Sequence, residues 1–302
     1  MSAAARPPED AWLDLPPGTA AAPADVALRL RAALHAVRRA GAETLRWFDR
    51  PGLAVEEKAD LSPVTVADRA AEAILRADLL AAFPADAFLG EESGTATGTS
   101  GYEWVVDPID GTKSFIRGVP LYATLVGCRR EGRGVLGVIA MPALDELVYA
   151  ASGCGAWHVR GRAEPVVATV STRPRLADAL LCTSDFTSFA KRPDGPTGAR
   201  ARERFESACR ICRSWGDGYG YLLVATGRAD VMIDPLMNAW DAAAVETVVV
   251  EAGGRFTDWQ GRDRIDSGDG LATNGLVHDE SLALVRGPQD PARTTGPAGT
   301  SG

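Results

Sequence analysis

Three features of the amino-acid sequence predict a mixed α/β fold. Apolar residues recur at helical spacing over residues 25–49 and 66–83, short apolar runs alternate with glycines and charges over 121–170, and strand-like and helix-like segments alternate again from 179 to 252. At 302 residues the chain stands at the upper edge of what one core organises, so one large domain and two closely packed halves both remain open.

In the first helical segment, Asp25 to about Asp49, the residues Val26, Leu30, Leu34, Val37, Leu45 and Phe48 fall on one face. A second helix is expected from about Val66 to Phe83, with Thr65 as its cap, Asp68 in its first turn and Pro84 ending it. Glu103 to Val106 is short, apolar and followed by Pro and Gly, which predicts a buried strand running into an irregular turn. The runs LYATLVGC, GVLGVIA and AWHV predict an antiparallel meander. Beyond it the pattern predicts a strand at Ala179–Thr183, helices at Ala201–Cys212 and Tyr219–Thr226, a strand at Asp230–Ile233 and a helix at Asp241–Ala252. Gly253 and Gly254 close that last helix, because glycine takes the left-handed conformation a helix end needs. Residues 1–24 and 288–302, rich in Pro, Ala, Gly and Thr without periodicity, read as flexible tails.

Apolar residues make up 46% of the chain and charged residues 24%, as in folded globular proteins. The net charge of -8, with no basic tract to offset it, opposes binding to nucleic acid and to anionic membranes. A phosphorylated metabolite is still admissible where divalent cations invert the local field. The scattered cysteines Cys128, Cys154, Cys182, Cys209 and Cys212 suit reduced thiols, and the pair Cys209 and Cys212 reads as two small apolar residues on a helix. The N-terminal residues lack a secretory apolar core and no run is long enough to span a bilayer, so a cytoplasmic location is expected.

The segment Asp107-Pro108-Ile109-Asp110-Gly111-Thr112 carries the first chemical signal. Two carboxylates three apart with Pro between them cannot lie on a regular helix, and a turn can aim both inward, where Mg²⁺ would find Asp107, Asp110 and the Ile109 carbonyl. Gly111 allows the backbone close to a phosphate, and the Thr112 hydroxyl can donate to it or orient a water. Taken singly, the segment is also an ordinary turn. Its companions have plain explanations too: Asp68 as the return half of a capping box on Thr65, Glu91 in FLGEES as a solvated loop, and Asp241 as a helix cap. His35, His158 and His278 stand apart from every motif and read as structural, as do Trp215, Tyr219 and Tyr221.

Together, Lys58–Asp68, Phe88–Ser93, Trp104–Phe115 and Trp240–Gly254 resemble the inositol-monophosphatase-like phosphatases, in the same order and across nearly the whole folded body. The resemblance implies alternating helix and sheet layers, a homodimer, and a phosphate monoester hydrolase using about two or three Mg²⁺ per site. It implies Glu91, Asp107, the Ile109 carbonyl, Asp110 and Asp241 as metal ligands, with Asp68, Glu91 and Thr112 as the catalytic set and Asp68 and Thr112 orienting water. Asp110, Gly111, Thr112 and Asp241 would also face the substrate. Residues 25–170 would form an α+β half holding most of the ligands, and residues 171–287 an α/β half completing the substrate site.

Within the family the chain is most similar to the histidinol-phosphatase branch, on SPVTVADRAAE, DPIDGTKSFIRGVPLYATL and RSWGDGYGYLLVATGRADVMIDP. Histidinol phosphate carries an ammonium and a protonatable imidazole, and Asp217 and Asp234 are the acids suited to pair with them. Each also has a local alternative, helix capping for Asp217 and a strand-end turn for Asp234. Inositol phosphate and other sugar or nucleotide phosphates are the alternative substrates on the same scaffold.

Overall fold

The computed structural model of the chain describes residues 21–58, 63–194 and 196–287. Of the expected tails, 1–24 and 288–302, residues 1–20 and 288–302 lie outside the described residues, and Ala24 already belongs to the first helix. Helix α1 (Ala24–Trp47) and the short pair β1 (Val55–Glu57) and β2 (Pro63–Thr65) lead into α2 (Val66–Ala82). There follow β3 (Ala87–Gly90), β4 (Gly94–Ala96), β5 (Tyr102–Asp110), the single turn α3 (Thr112–Phe115), and the meander β6 (Ala123–Arg130), β7 (Arg133–Met141), β8 (Glu146–Ala151), β9 (Ala156–Arg160) and β10 (Val166–Ala168). The rest comprises β11 (Leu180–Cys182), α4 (Pro196–Ala208), β12 (Ile211–Arg213), α5 (Asp217–Ala225), β13 (Val231–Asp234), α6 (Ala239–Glu251), β14 (Arg255–Thr257), β15 (Gly270–Thr273) and α7 (His278–Arg286).

The strands form an eight-stranded sheet in the order β10-β9-β8-β7-β6-β5-β3-β4 and a five-stranded sheet in the order β12-β11-β13-β15-β14. Helices α1 and α2 cover the outer face of the large sheet, α5 and α6 lie between the sheets, and α4 and α7 cover the far face of the small sheet. The period of two along each strand sorts side chains between these layers. On β7, Leu136 and Val138 face α1 and α2 while Ile139 and Met141 face α6; in the small sheet Cys182 and Met232 turn inward while Leu181 and Val231 turn toward α4 and α7. Strands buried on both faces need continuous apolar runs, as in LYATLVGC and GVLGVIA. Helix α6 seats on the large sheet through Ala243 and Ala244. A Cβ at Gly137 would stand 2.2 Å from the Ala244 carbonyl oxygen, so glycine is required where that helix crosses β7.

Two local expectations are corrected. Cys209 and Cys212 do not share a helix: α4 ends at Ala208, and Cys212 lies on β12, where Ile211–Arg213 pairs in parallel with Leu180–Cys182. Pairing to a sheet edge outweighs the helical spacing there. The acids of DPID also do not lie beyond a strand, because β5 runs through them to Asp110.

Candidate functional site

The β5 strand reaches Asp110 by way of a bulge. Asp107 pairs with Leu125 and Asp110 with Ala123, so β5 holds one residue more than β6 over that interval, and Pro108, which has no N–H to donate, occupies the irregularity. Thr124 Oγ1 donates to the Pro108 carbonyl at 2.9 Å, and the Ile109 N–H donates to Asp107 Oδ1 at 2.9 Å. The Ile109 side chain is buried with Phe115 and Tyr122, which fixes the direction of its carbonyl. Thr112 Oγ1 donates to that carbonyl at 3.0 Å and lies 3.4 Å from Asp68 Oδ1. Gly111 supplies the turn at φ +89°, a conformation costly for other residues.

Asp68 does form the capping box: its Oδ2 accepts from the Thr65 N–H at 2.8 Å and from Thr65 Oγ1 at 2.6 Å, leaving Oδ1 toward Thr112. Asp241 Oδ2 likewise accepts from the Asn238 N–H at 2.7 Å at the start of α6. A cap needs only part of a carboxylate, so capping and site geometry coexist at both positions.

Glu91 is placed by α2. Glu72, buried on that helix, accepts from the Glu92 and Ser93 amides at 2.7 and 2.6 Å and thereby holds the loop after β3. Gly90 is glycine because a Cβ there would stand 2.6 Å from the Glu72 carboxylate. Lys58 bridges Glu91 at 2.7 Å and Glu92 at 2.5 Å.

Asp107, Asp110 and Asp241 each direct an oxygen to one point, with those atoms within 4.8 Å of one another. Burial pushes Asp107 and Asp110 well above the ordinary carboxylate range, and the neighbouring acids push them further. Burial and Glu91 bring Asp241 up to about 7. Glu91 is raised by burial against the opposing pull of Lys58, and Asp68 by burial against its bonds to Thr65. Carboxylates so placed are fully ionised together only in the presence of cations, and an all-oxygen donor set is what a hard divalent cation accepts. The residues present therefore fit a metal centre.

Beside this cluster lies a cavity of about 220 Å³, lined among others by Asp110, Lys113, Asp185, Lys191, Asp217 and Asp234. The two sheets meet here, with Asp110 Oδ2 accepting from the Gly218 N–H at the start of α5. Asp217 takes a left-handed φ of +53°, its N–H donates to Ser184 Oγ at 2.8 Å, and its carboxylate lies over Gly111, where a Cβ would come within 2.8 Å of Oδ2. Burial and then Asp234 raise it to about 6, while Ser184 and Lys113 draw it down. Asp234, at the end of β13, is already engaged: Oδ1 accepts from the Ser184 N–H at 3.0 Å and Oδ2 from the Tyr221 hydroxyl at 2.9 Å.

Residues 25–287 match the inositol monophosphatase family, which spans every element that positions these side chains. The chain belongs to that family. Inositol monophosphatase family membership carries a metal-dependent phosphatase activity, and the layered fold is the one found. The histidinol-phosphatase of Chlorobaculum parvum is 40% identical over 263 residues, 86% of this chain and 98% of that protein. The histidinol-phosphatase of Mycobacterium tuberculosis is 41% identical over 260 residues, 85% of this chain and 97% of that protein. Among solved structures, the extragenic suppressor protein suhB of Bartonella henselae aligns with a TM-score of 0.77 at 31% identity, covering 85% of this chain and 98% of that one.

Several residues of the site escaped the sequence reading. Glu72 acts on a loop twenty residues away through main-chain amides, which no motif announces. Lys113, Ser184, Asp185 and Lys191 join the cavity only because two sheets meet there. Tyr221, read as a packing residue, is buried but also holds Asp234, whereas Trp215 is 41% exposed and does not pack in the core. His278 is buried between Thr257 and Thr273, and His158 is paired with Glu146; both are remote from the carboxylate cluster in contacts and chemistry.

Proposed function

We propose that this phosphatase hydrolyses histidinol phosphate with Mg²⁺, acting in the cytoplasm as a homodimer. The observation that carries the substrate is the acidic wall beside the metal cluster: Asp217 is held over Gly111 inside the cavity, with Asp234 also lining it. A ligand with a phosphate at one end and cationic groups at the other meets complementary charge at both. The identity to histidinol-phosphatases over most of the chain supports the same reading.

In this scheme Glu91, Asp107, the Ile109 carbonyl, Asp110 and Asp241 would hold the Mg²⁺ ions. Bound there, Mg²⁺ supplies Lewis acidity toward the phosphate and lowers the pKa of a water. The chain's own part is positioning, which phosphoryl transfer needs more than covalent help. With the Ile109 carbonyl taken up by metal, the Thr112 hydroxyl would donate to Asp68 instead, and its oxygen would orient the water for in-line attack. The Gly111 and Thr112 amides face the phosphate, with Lys113 and Lys191 at the cavity adding positive charge. Asp217 contacts the substrate cation directly, while Asp234, with both oxygens engaged by Ser184 and Tyr221, lies behind it and keeps Tyr221 in place. Residues 25–170 thus supply most of the metal set, and residues 171–287 supply Asp241 and the specificity wall.

The test is phosphate release measured across histidinol phosphate, inositol 1-phosphate, fructose 1,6-bisphosphate and a 3′-phosphonucleotide, for the wild type and Asp217→Asn. Histidinol phosphate is expected to give the highest kcat/KM, with about a tenfold or greater loss in the variant for that substrate alone, as for a lost charged hydrogen bond. Preference for inositol phosphate, or equal losses on all substrates, would reject the assignment.

A further inference from the structure

A second cavity, of about 460 Å³, opens between the C-terminal half of α6 and the β6–β7 hairpin, and it shares no lining residue with the first. Gly134, Arg133, Glu246, Thr247, Val250 and Asp263 contribute to its walls. Thr247 is 4% exposed, yet its Oγ1 has no hydrogen-bond partner among the described residues. The same holds for Glu246 Oε2 on the preceding residue and for Arg129 Nε on β6. Among the described residues six buried side-chain atoms lack a partner; two of them, on consecutive residues, line this cavity, and a third belongs to Arg129, whose charge acts on Glu246.

The cavity is also built to admit these groups. A Cβ at Gly134 would stand 2.3 Å from Thr247 Oγ1 and 3.4 Å from Glu246 Oε2, so glycine is what lets both oxygens into the wall. Burial raises the Glu246 carboxyl, Arg129 draws it down and Asp263 pushes it up. Glu251, on the same helix, is saturated, since its oxygens accept from the Gly153 and Gly155 amides at 2.9 Å each. What remains is an acceptor pair, Glu246 Oε2 and Thr247 Oγ1, with the exposed Asp263 carboxylate nearby and an apolar contact on Val250. Among the described residues only Asp107, Asp110 and Asp241 make a three-carboxylate group tight enough for a metal, so a bare divalent cation does not suit this place. The volume is that of a small organic molecule.

We propose that this cavity binds a small organic ammonium compound, an amino alcohol or an amino acid, whose ammonium group donates to Glu246 and Thr247. The site depends on no substrate assignment at the metal centre. An amino acid would place its carboxylate toward Arg129 and Arg133; an amino alcohol would place its hydroxyl oxygen there.

Isothermal titration calorimetry of the full chain with L-histidinol and with L-histidine, which differ in the alcohol and the carboxylate, tests it. Saturable binding of at least one of them is expected in the wild type and in Asp217→Asn, which removes the cation contact of the first cavity. It should weaken by about tenfold or more in Glu246→Gln and in the isosteric Thr247→Val, either of which suffices if the other does not fold. No saturable heat with either compound would mean that water alone fills the cavity and would overturn the proposal. Binding lost in Asp217→Asn but retained in the α6 variants would overturn it equally, as would a change of sedimentation mass in Glu246→Gln, which would make the cavity part of an interface between copies of this chain.

Discussion

Replacing Asp241 by Asn should stabilise the metal-free protein while removing most of its activity. In the folded chain Asp241 shares a point with Asp107 and Asp110, and burial with Glu91 brings its carboxyl to about 7, against an ordinary value of 3.8. Because the folded pKa exceeds the unfolded one, the folded state binds more protons between those values. Stability in the absence of metal therefore falls as pH rises through that window, and the full cost is present above about 7. At about 1.36 kcal/mol per pH unit the interval bounds that cost at roughly 4 kcal/mol. Two like charges no more than 4.8 Å apart repel by about 3.5 kcal/mol or more at an effective dielectric of 20, which is the same order. Asparagine keeps an oxygen for the Asn238 N–H, so the start of α6 survives. With about half the bound surviving side-chain relaxation, differential scanning fluorimetry in EDTA at pH 8 should show Tm raised by roughly 4–8 °C. The gap should narrow toward pH 5. Saturating Mg²⁺ should raise the wild-type Tm more than the variant's, and turnover of the variant should fall by about two orders of magnitude or more. A variant that melts at or below the wild-type temperature in EDTA at pH 8 would refute the electrostatic reasoning.

Two other perturbations follow from the same physics. Glu72→Gln turns an amide toward the Glu92 and Ser93 N–H groups, so the loop carrying Glu91 should loosen and the Mg²⁺ concentration for half-activation rise by about tenfold; an unchanged Mg²⁺ titration would break the link between α2 and the site. His278 is buried and neutral with its pKa down at about 4 from 6.5, so the unfolded chain binds the extra proton and stability is lost as pH falls from 6.5 toward 4. Urea unfolding at pH 7.5 and 5 should show about 2 kcal/mol less acid sensitivity in His278→Gln than in the wild type, and equal sensitivity would exclude this histidine as the cause.

Helices were legible where one face alone had to be buried, as in α1 and α2, and the meander was legible because strands buried on both faces must be apolar throughout. The segment from Ala201 to Cys212 was misread for a complementary reason: the helical spacing is real as far as Ala208, but the last residues gain main-chain bonds by joining the edge of a sheet. The strand–turn reading of DPID failed because proline and a bulge are compatible with a strand whose partner, β6, lies beyond any local window. At the site, Asp68 and Asp241 were visible as caps and as acids, yet no local rule decides between the two. The structure shows caps that each leave a carboxylate oxygen toward the site, Asp68 toward Thr112 and Asp241 toward Asp107 and Asp110.

By itself the sequence determined the first two helices, the meander, the caps at Asp68 and Asp241, and which family the chain resembles, since periodicity and capping act over a few residues. Only the tertiary structure decided that Asp107 and Asp110 meet Asp241 from the far end of the chain, that Glu72 and Gly90 set Glu91, and that Asp217 lies over Gly111 while Asp234 is taken up by Ser184 and Tyr221. Those juxtapositions come from the packing of two sheets around α5 and α6. Packing fixes distances between residues that share no local sequence constraint.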